Sequence, residues 1–301
     1  MADAAIRRLV LVGSVIVDVV LYVDALPARG GDVVATRSMT TAGGGFNVLA
    51  AASRQGLPSA YGGLIGSGPF GAQVREAIEA ESVALLLPQP ADNDTGFCVA
   101  LVEASGERTF ATTVGAEAGL TAELLASMLI RDGDAVYVSG YDLAYPHGPA
   151  LAQWIGGLPD AVVTVLDPGP LVAEIPTEVL DPVLSRLSWL SLNAREALSL
   201  TGAGDSASAV AVMFGRAPHL TGIVVRDGAR GCGVHLSAGD AVHVDAPVVE
   251  VVDTNGAGDA HVGAFVAALA RGDGPLEAAR AANEAAAFAV TQHGPATTPP
   301  R

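Results

Sequence analysis

Lysine is missing from all 301 residues: the 16 basic side chains are arginines, set against 32 Asp and Glu for a formal charge of −16. That absence removes Schiff-base chemistry, lysine nucleophiles and the lysine-bearing phosphate loop. The acid excess removes proteins that coat duplexes, whose surface must attract phosphate. Two cysteines, Cys98 and Cys232, are too few and too far apart for a disulfide framework or a zinc site, and read as reduced cytosolic thiols. Aromatic residues are scarce at 5%, and charged residues at 16% are outweighed by 50% hydrophobic ones, so the chain is not disordered. No apolar run reaches membrane-spanning length free of charge and turn residues. Arg7-Arg8 ahead of residues 9–17 has the outline of a secretion signal. Asp18 interrupts it, however, no small-x-small pattern closes it, and its β-branched composition predicts a buried strand. The expectation is a soluble cytoplasmic protein with neither nucleic-acid nor membrane partners.

What is present is alternation. Apolar runs at 9–17, 60–65, 135–139, 162–166, 187–191 and 222–226 predict buried strands. Alanine-rich stretches at 47–55, 70–80, 145–155, 205–214, 256–270 and 275–290 predict helices between and after them. This order predicts an α/β fold with a mainly parallel central sheet flanked by helices. Segments 19–40 and 95–113 break the pattern with short strand-like pieces, and read as a small β lid over the carboxyl ends of the strands. Residues 295–301 read as a coil tail. No linker or repeat divides the chain, so one domain with a lid is expected.

Two glycine-rich segments carry the chemistry. Asp253-Thr254-Asn255-Gly256-Ala257-Gly258-Asp259 follows a valine-rich, strand-like run (248–252) and opens a helix. Small residues there let a ligand approach the backbone, and the helix N-terminus favours an anion. A carboxylate at Asp259, beside that anion, makes sense as a base that takes a proton from an attacking hydroxyl. A glycine turn with a capping Asp would look the same. Ala42-Gly43-Gly44-Gly45-Phe46-Asn47 opens another helix, where the glycines admit a polyol and Asn47 offers donors and an acceptor, or simply caps the helix.

Together these segments resemble the paired signatures of the ribokinase (PfkB) family of carbohydrate and nucleoside kinases, in the right order and over nearly the whole chain. The resemblance implies a ribokinase-like fold and an ATP-dependent kinase that phosphorylates a hydroxymethyl group of a sugar or sugar-like alcohol. Asp259 matches the catalytic base, and Gly256, Ala257 and Gly258 match the anion hole. Asp18, Gly43, Gly44 and Asn47 match the acceptor site. Asn193 and Glu196 match a motif linked to phosphate and Mg²⁺, although a helix capping box explains the same pair. Arg226 and Gly228 match positions along the nucleotide, and Asn283 one near the adenine. Asp253 and Asn255, with the Gly294 region, match a monovalent-cation (K⁺) site.

Departures from the family pattern narrow the substrate. Ala42 replaces a glycine, and His261 replaces a Phe and is expected to be a satisfied or half-buried histidine. Ser139-Gly140-Tyr141 stands where ribose-specific members carry Glu, which argues against ribose. Arg108, on the lid, is either a phosphate clamp or a solvated hairpin arginine. A nucleoside kinase of the same family is the alternative, against which the low aromatic content counts. From another class, a silent nucleotide or sugar sensor is the rival. No G-x-G-x-x-G follows the first strand, so a dinucleotide-dependent dehydrogenase is disfavoured. Lid edges within 33–40 could pair with a second copy to give a homodimer.

Overall fold

The computed structural model describes residues 6–89 and 92–301. In chain order its strands are β1 (Arg8–Leu11), β2 (Val15–Val23), β3 (Arg37–Gly44), β4 (Ser59–Tyr61), β5 (Ala84–Leu85), β6 (Phe97–Glu103) and β7 (Arg108–Thr113). They continue with β8 (Asp134–Ser139), β9 (Val163–Asp167), β10 (Trp189–Asn193), β11 (Gly222–Arg226), β12 (Cys232–Leu236) and β13 (Ala241–Val244). The helices are α1 (Phe46–Arg54), α2 (Pro69–Ala80), α3 (Ala122–Ser127), α4 (Gly140–Ala144) and α5 (Gly148–Gly156). After these come α6 (Thr177–Leu184), α7 (Ala194–Thr201), α8 (Ser206–Arg216), α9 (Ala257–Ala270) and α10 (Pro275–Ala289).

Nine strands form one sheet in the order β13-β12-β11-β10-β9-β8-β1-β4-β5. Every pairing from β5 to β11 is parallel, and only the β11–β12 and β12–β13 pairings at one end are antiparallel. Alternate side chains of the strands feed two cores. Leu9 and Leu11 pack with α1, α2, α9 and α10, while Val10 and Val12 pack with α5, α6 and α8 on the opposite face. This is the α/β arrangement that the alternation predicts. The two cysteines are buried and unpaired.

The second sheet has the order β3-β2-β6-β7; β6 and β7 fall within 95–113, whereas β2 starts before the expected 19–40 segment and β3 runs past it into the glycine-rich segment at 42–47. Its existence corrects the reading of 9–17 as one strand. The run is cut at Gly13, whose φ of 143° lies where side chains are rarely tolerated. Leu11 ends β1 in the large sheet and Val15 begins β2 in the small one. Both halves are buried, so apolar periodicity alone cannot show the cut. Asp18 therefore lies inside β2, opposite Thr41 of β3, rather than at the end of a main-sheet strand.

Two further expectations are corrected. The helix expected over 145–155 starts late: Pro146 pushes Tyr145 to an extended backbone (ψ 167°), the separate α4 ends at Ala144, and α5 begins only at Gly148. The valine run at 248–252 forms no strand. The amides of Val252 and Asp253 bond instead to the carbonyl of Val290, just past α10, and Val248 is fully exposed. The tail has no regular structure but is pinned: Arg54 donates from Nη1 to the carbonyls of Ala296 and Thr298.

Candidate active site

Four neighbouring parallel strands end in polar residues at one edge of the large sheet: β8 in Ser139, β9 in Asp167, β10 in Asn193 and β11 in Arg226. All four line a cleft of about 660 Å³, whose other walls include the small sheet, the N-terminus of α9, residues 246–249 and α10. Carboxyl ends of parallel strands collect ligands because the following helices present their N-termini there.

The floor of the cleft is set by how closely α1 and α9 approach. A Cβ on Gly263 would lie 2.6 Å from both the Ala51 Cβ and the Val48 carbonyl oxygen, so only glycine lets the two helices touch. That contact brings the starts of the two helices together, and Asn47 Nδ2 donates to Asp259 Oδ2 at 3.0 Å. Burial raises the Asp259 carboxyl to about 7; Asp167 and Asp18 push the same way, while the Asn47 bond and Arg226 oppose the rise. Burial also lifts Asp18 to about 6. Asn47 is itself buried, and its Oδ1 has no hydrogen-bond partner among the described residues. A buried acceptor left open beside a cleft is what a ligand hydroxyl satisfies.

The glycines earn their places by proximity. A Cβ on Gly43 would sit 2.1 Å from Asp18 Oδ2, so β3 can pass the carboxylate only without a side chain. Gly44 (φ 59°) turns the chain toward α1. Gly256 caps α9 in a left-handed conformation (φ 72°), and Ala257 begins the helix. On Gly258 a Cβ would lie 2.8 Å from Arg226 Nη1. The guanidinium therefore lies against the first turn of α9, donating to Asp167 Oδ2 at 2.7 Å and Glu196 Oε2 at 3.3 Å.

Asn193 and Glu196 do form the capping box of α7. Asn193 Oδ1 accepts from the Glu196 amide, and Glu196 Oε2 accepts from the Asn193 amide. The capping reading and a place in the cleft hold together, since both residues also line it. Gly228 (φ 56°) lies in the turn closed by the Arg230–Asp227 ion pair and faces open space in the cleft. Asn283 donates from Nδ2 to the carbonyls of Val244 and Asp245, anchoring the chain that runs on into the 246–249 wall. Asp253 holds its own loop: Oδ1 accepts from the Asn255 amide and Oδ2 from the Gly294 amide, joining the two segments expected to share a cation.

His261 departs from expectation. It is 4% exposed rather than half-buried, and neither ring nitrogen has a hydrogen-bond partner among the described residues. Burial first, then Arg226, lowers it to about 3, so it is neutral and unfit as a proton acceptor at neutral pH. Arg108 pairs with Val102 at the far end of β7 and does not line the cleft, which leaves the phosphate-clamp reading without support. Sequence reasoning missed Asp167, Ser14 and Phe110. An acid ending a predicted strand was a usable signal for Asp167; the others depend on the small sheet.

A family model described as pfkB family carbohydrate kinase matches residues 6–301. The chain belongs to the PfkB family. It is a carbohydrate kinase, a phosphotransferase with an alcohol group as acceptor. Among its family relatives, the uncharacterized sugar kinase YegV of Escherichia coli (strain K12) is 31% identical over 299 residues, covering 98% of this chain and 92% of that protein. In structure the chain resembles the ribokinase of Giardia lamblia, with a TM-score of 0.84 at 22% identity over 98% of this chain and 97% of the other. It also resembles the Arabidopsis thaliana ribokinase complexed with ribose and ATP, with a TM-score of 0.78 at 23% identity over 98% and 96% of the two chains. These likenesses place the fold as ribokinase-like.

Proposed function

We propose that this PfkB-family kinase transfers the γ-phosphoryl group of ATP to a hydroxymethyl group of a sugar or sugar-like alcohol, with Asp259 as general base. The observation that carries the reading is Asp259 itself: a carboxyl raised to about 7, in the first turn of α9, bonded to the open-sided Asn47. Asp18, Gly43, Gly44 and Asn47 hold the acceptor. Asp259 takes the hydroxyl proton as attack begins, and the backbone amides of Gly256, Ala257 and Gly258 stabilise the charge on the transferring group. Arg226 adds a fixed cation below Gly258. Gly228 and the Asn283-anchored wall flank the nucleotide, and the small sheet closes over the acceptor as a lid that excludes water.

Glu196 Oε2 is committed to the Asn193 amide and Arg226, which leaves Oε1 and the Asn193 side of the cleft to hold Mg²⁺ through water. Mg²⁺ is suited to such a site, since it keeps several waters and takes one or two carboxylates beside phosphate oxygens. When bound it supplies charge neutralisation on the phosphates. Asp253, Asn255 and Gly294 form the proposed K⁺ loop.

A nucleoside acceptor is the second reading, and one observation favours it. Phe110 (54% exposed) on β7 and Tyr141 (40% exposed) on α4 both line the acceptor end. The chain is poor in aromatics, but it places them where a base could stack. Release of ADP across a panel of sugars and nucleosides tests both readings, and a silent sensor would give none with any of them. With the best acceptor, Asp259→Asn should lower kcat by roughly 100-fold or more, the range of general-base catalysis. MgATP binding by calorimetry should survive the change. A loss below about tenfold refutes the base assignment.

A further inference from the structure

Ser14, between β1 and β2, and Ser139, at the end of β8, face the acceptor end of the cleft and share one hidden partner. Ser14 Oγ donates to Asp142 Oδ1 at 2.5 Å, and Ser139 Oγ donates to Asp142 Oδ2 at 2.8 Å. Asp142 lies behind them in the first turn of α4 and is 2% exposed. Gly13 makes the room: a Cβ there would fall 2.2 Å from Asp142 Oδ2. Behind the carboxylate the buried His147 ring stands 3.6 Å away, beyond hydrogen-bond reach.

A carboxylate can only accept, and a hydroxyl has one proton to give. Both serine protons are spent on Asp142, and Ser139 Oγ also accepts from the Asp142 backbone amide at 3.4 Å, so what the serines have left for the cleft is lone pairs, two on Ser14 and one on Ser139. Asp18 presents a second carboxylate from the small sheet. Arg226 is the only arginine lining the cleft among the described residues, and it is held by Asp167 and Glu196 against α9. The acceptor end is thus rich in acceptors and has no cation of its own.

We propose that Asp142, acting through Ser14 and Ser139, is a positioning residue that makes this wall read hydrogen-bond donors, so that the substrate is a neutral hydroxylated compound and not a sugar phosphate or sugar acid. The inference rests on the kinase reading above and narrows its acceptor class. No atom of Asp142 meets the substrate; it fixes which way two hydroxyls point.

The test uses the full chain, ATP, and a panel of neutral sugars and nucleosides with their deoxyfluoro analogues, sugar phosphates and sugar acids. Turnover is expected with neutral acceptors only. Replacing the hydroxyl that meets the serines by fluorine, which cannot donate, should cost about tenfold in kcat/KM, the worth of a hydrogen bond at its strong end. In Asp142→Asn the new amide donates to one serine and frees that hydroxyl to donate to the ligand. The fluorine penalty should shrink to about threefold or less, mainly through the acceptor KM, with the ATP KM held within about twofold. A structural role for Asp142 would lower turnover of the hydroxyl and fluoro compounds alike. If Asp142→Asn does not fold, Ser139→Ala carries the same comparison and should abolish the penalty at one position. A sugar phosphate or acid as best acceptor, or a fluorine penalty the same in wild type and variant, overturns the inference while the kinase reading stands. No turnover with any acceptor refutes the kinase reading itself, and the inference falls with it.

Discussion

At the residue scale, Asp259 trades stability for chemistry. Its folded-state pKa of about 7 lies above its ordinary 3.8, so the folded protein holds this proton more tightly than the unfolded chain. Its contribution to stability is therefore most favourable at low pH and falls as pH rises from about 4 to about 7. Asp259→Asn should melt at a higher temperature than wild type at pH near 8, and the gain should vanish toward pH near 4. Activity should move the opposite way in wild type: kcat/KM for the acceptor climbs with pH and levels off above about 7, once Asp259 and Asp18 (raised to about 6) are both ionised. A profile already flat at pH near 5 would show that neither carboxylate must lose a proton for catalysis.

At the element scale, the join between β1 and β2 matters most. Three residues, Val12-Gly13-Ser14, carry the chain from the large sheet into the small one, and Gly13 packs against Asp142. Gly13→Ala meets two obstacles together, a φ of 143° and a Cβ driven into the buried carboxylate. Denaturant unfolding should show a loss of about 2 kcal/mol or more, against about 0.5 kcal/mol or less for an ordinary exposed substitution. The same join explains what could be read from sequence. The run at 222–226 coincides with β11, and the glycine motif does open α9, because isolated apolar runs and glycine caps are local signals. The Gly13 cut was invisible because both sides of it are buried. The β12–β13 hairpin was missed because His235 and His243 dilute its apolar pattern. Inside α6, Pro182 hid a helix, although Asn193 and Glu196 marked the start of α7. Asp142 became legible only when Ser14 and Ser139, 125 residues apart in sequence, met on one wall of the cleft.

At the scale of the whole molecule, charge sets the terms of nucleotide capture. The protein carries −16, and its cleft sets Asp18, Asp167, Glu196 and Asp259 against Arg226. An anionic nucleotide approaches against that field, and salt weakens it over a Debye length of about 10 Å at 0.1 M. The kcat/KM for MgATP should therefore rise when a sodium salt is taken from about 10 mM to about 150 mM, the reverse of an electrostatically steered enzyme. A fall over that range would show that the local cation and amides outweigh the field. The topology also has a consequence for biosynthesis. All four strands of the small sheet lie within residues 15–113, whereas Asp259 and the amides of α9 lie in the last fifth of the chain. Chains emerge from the ribosome N-terminus first. The cover over the acceptor is thus translated long before the floor it closes on, and a nascent chain stalled at β11 would hold Asp18, Asn47 and the whole of that sheet with no base to receive a proton.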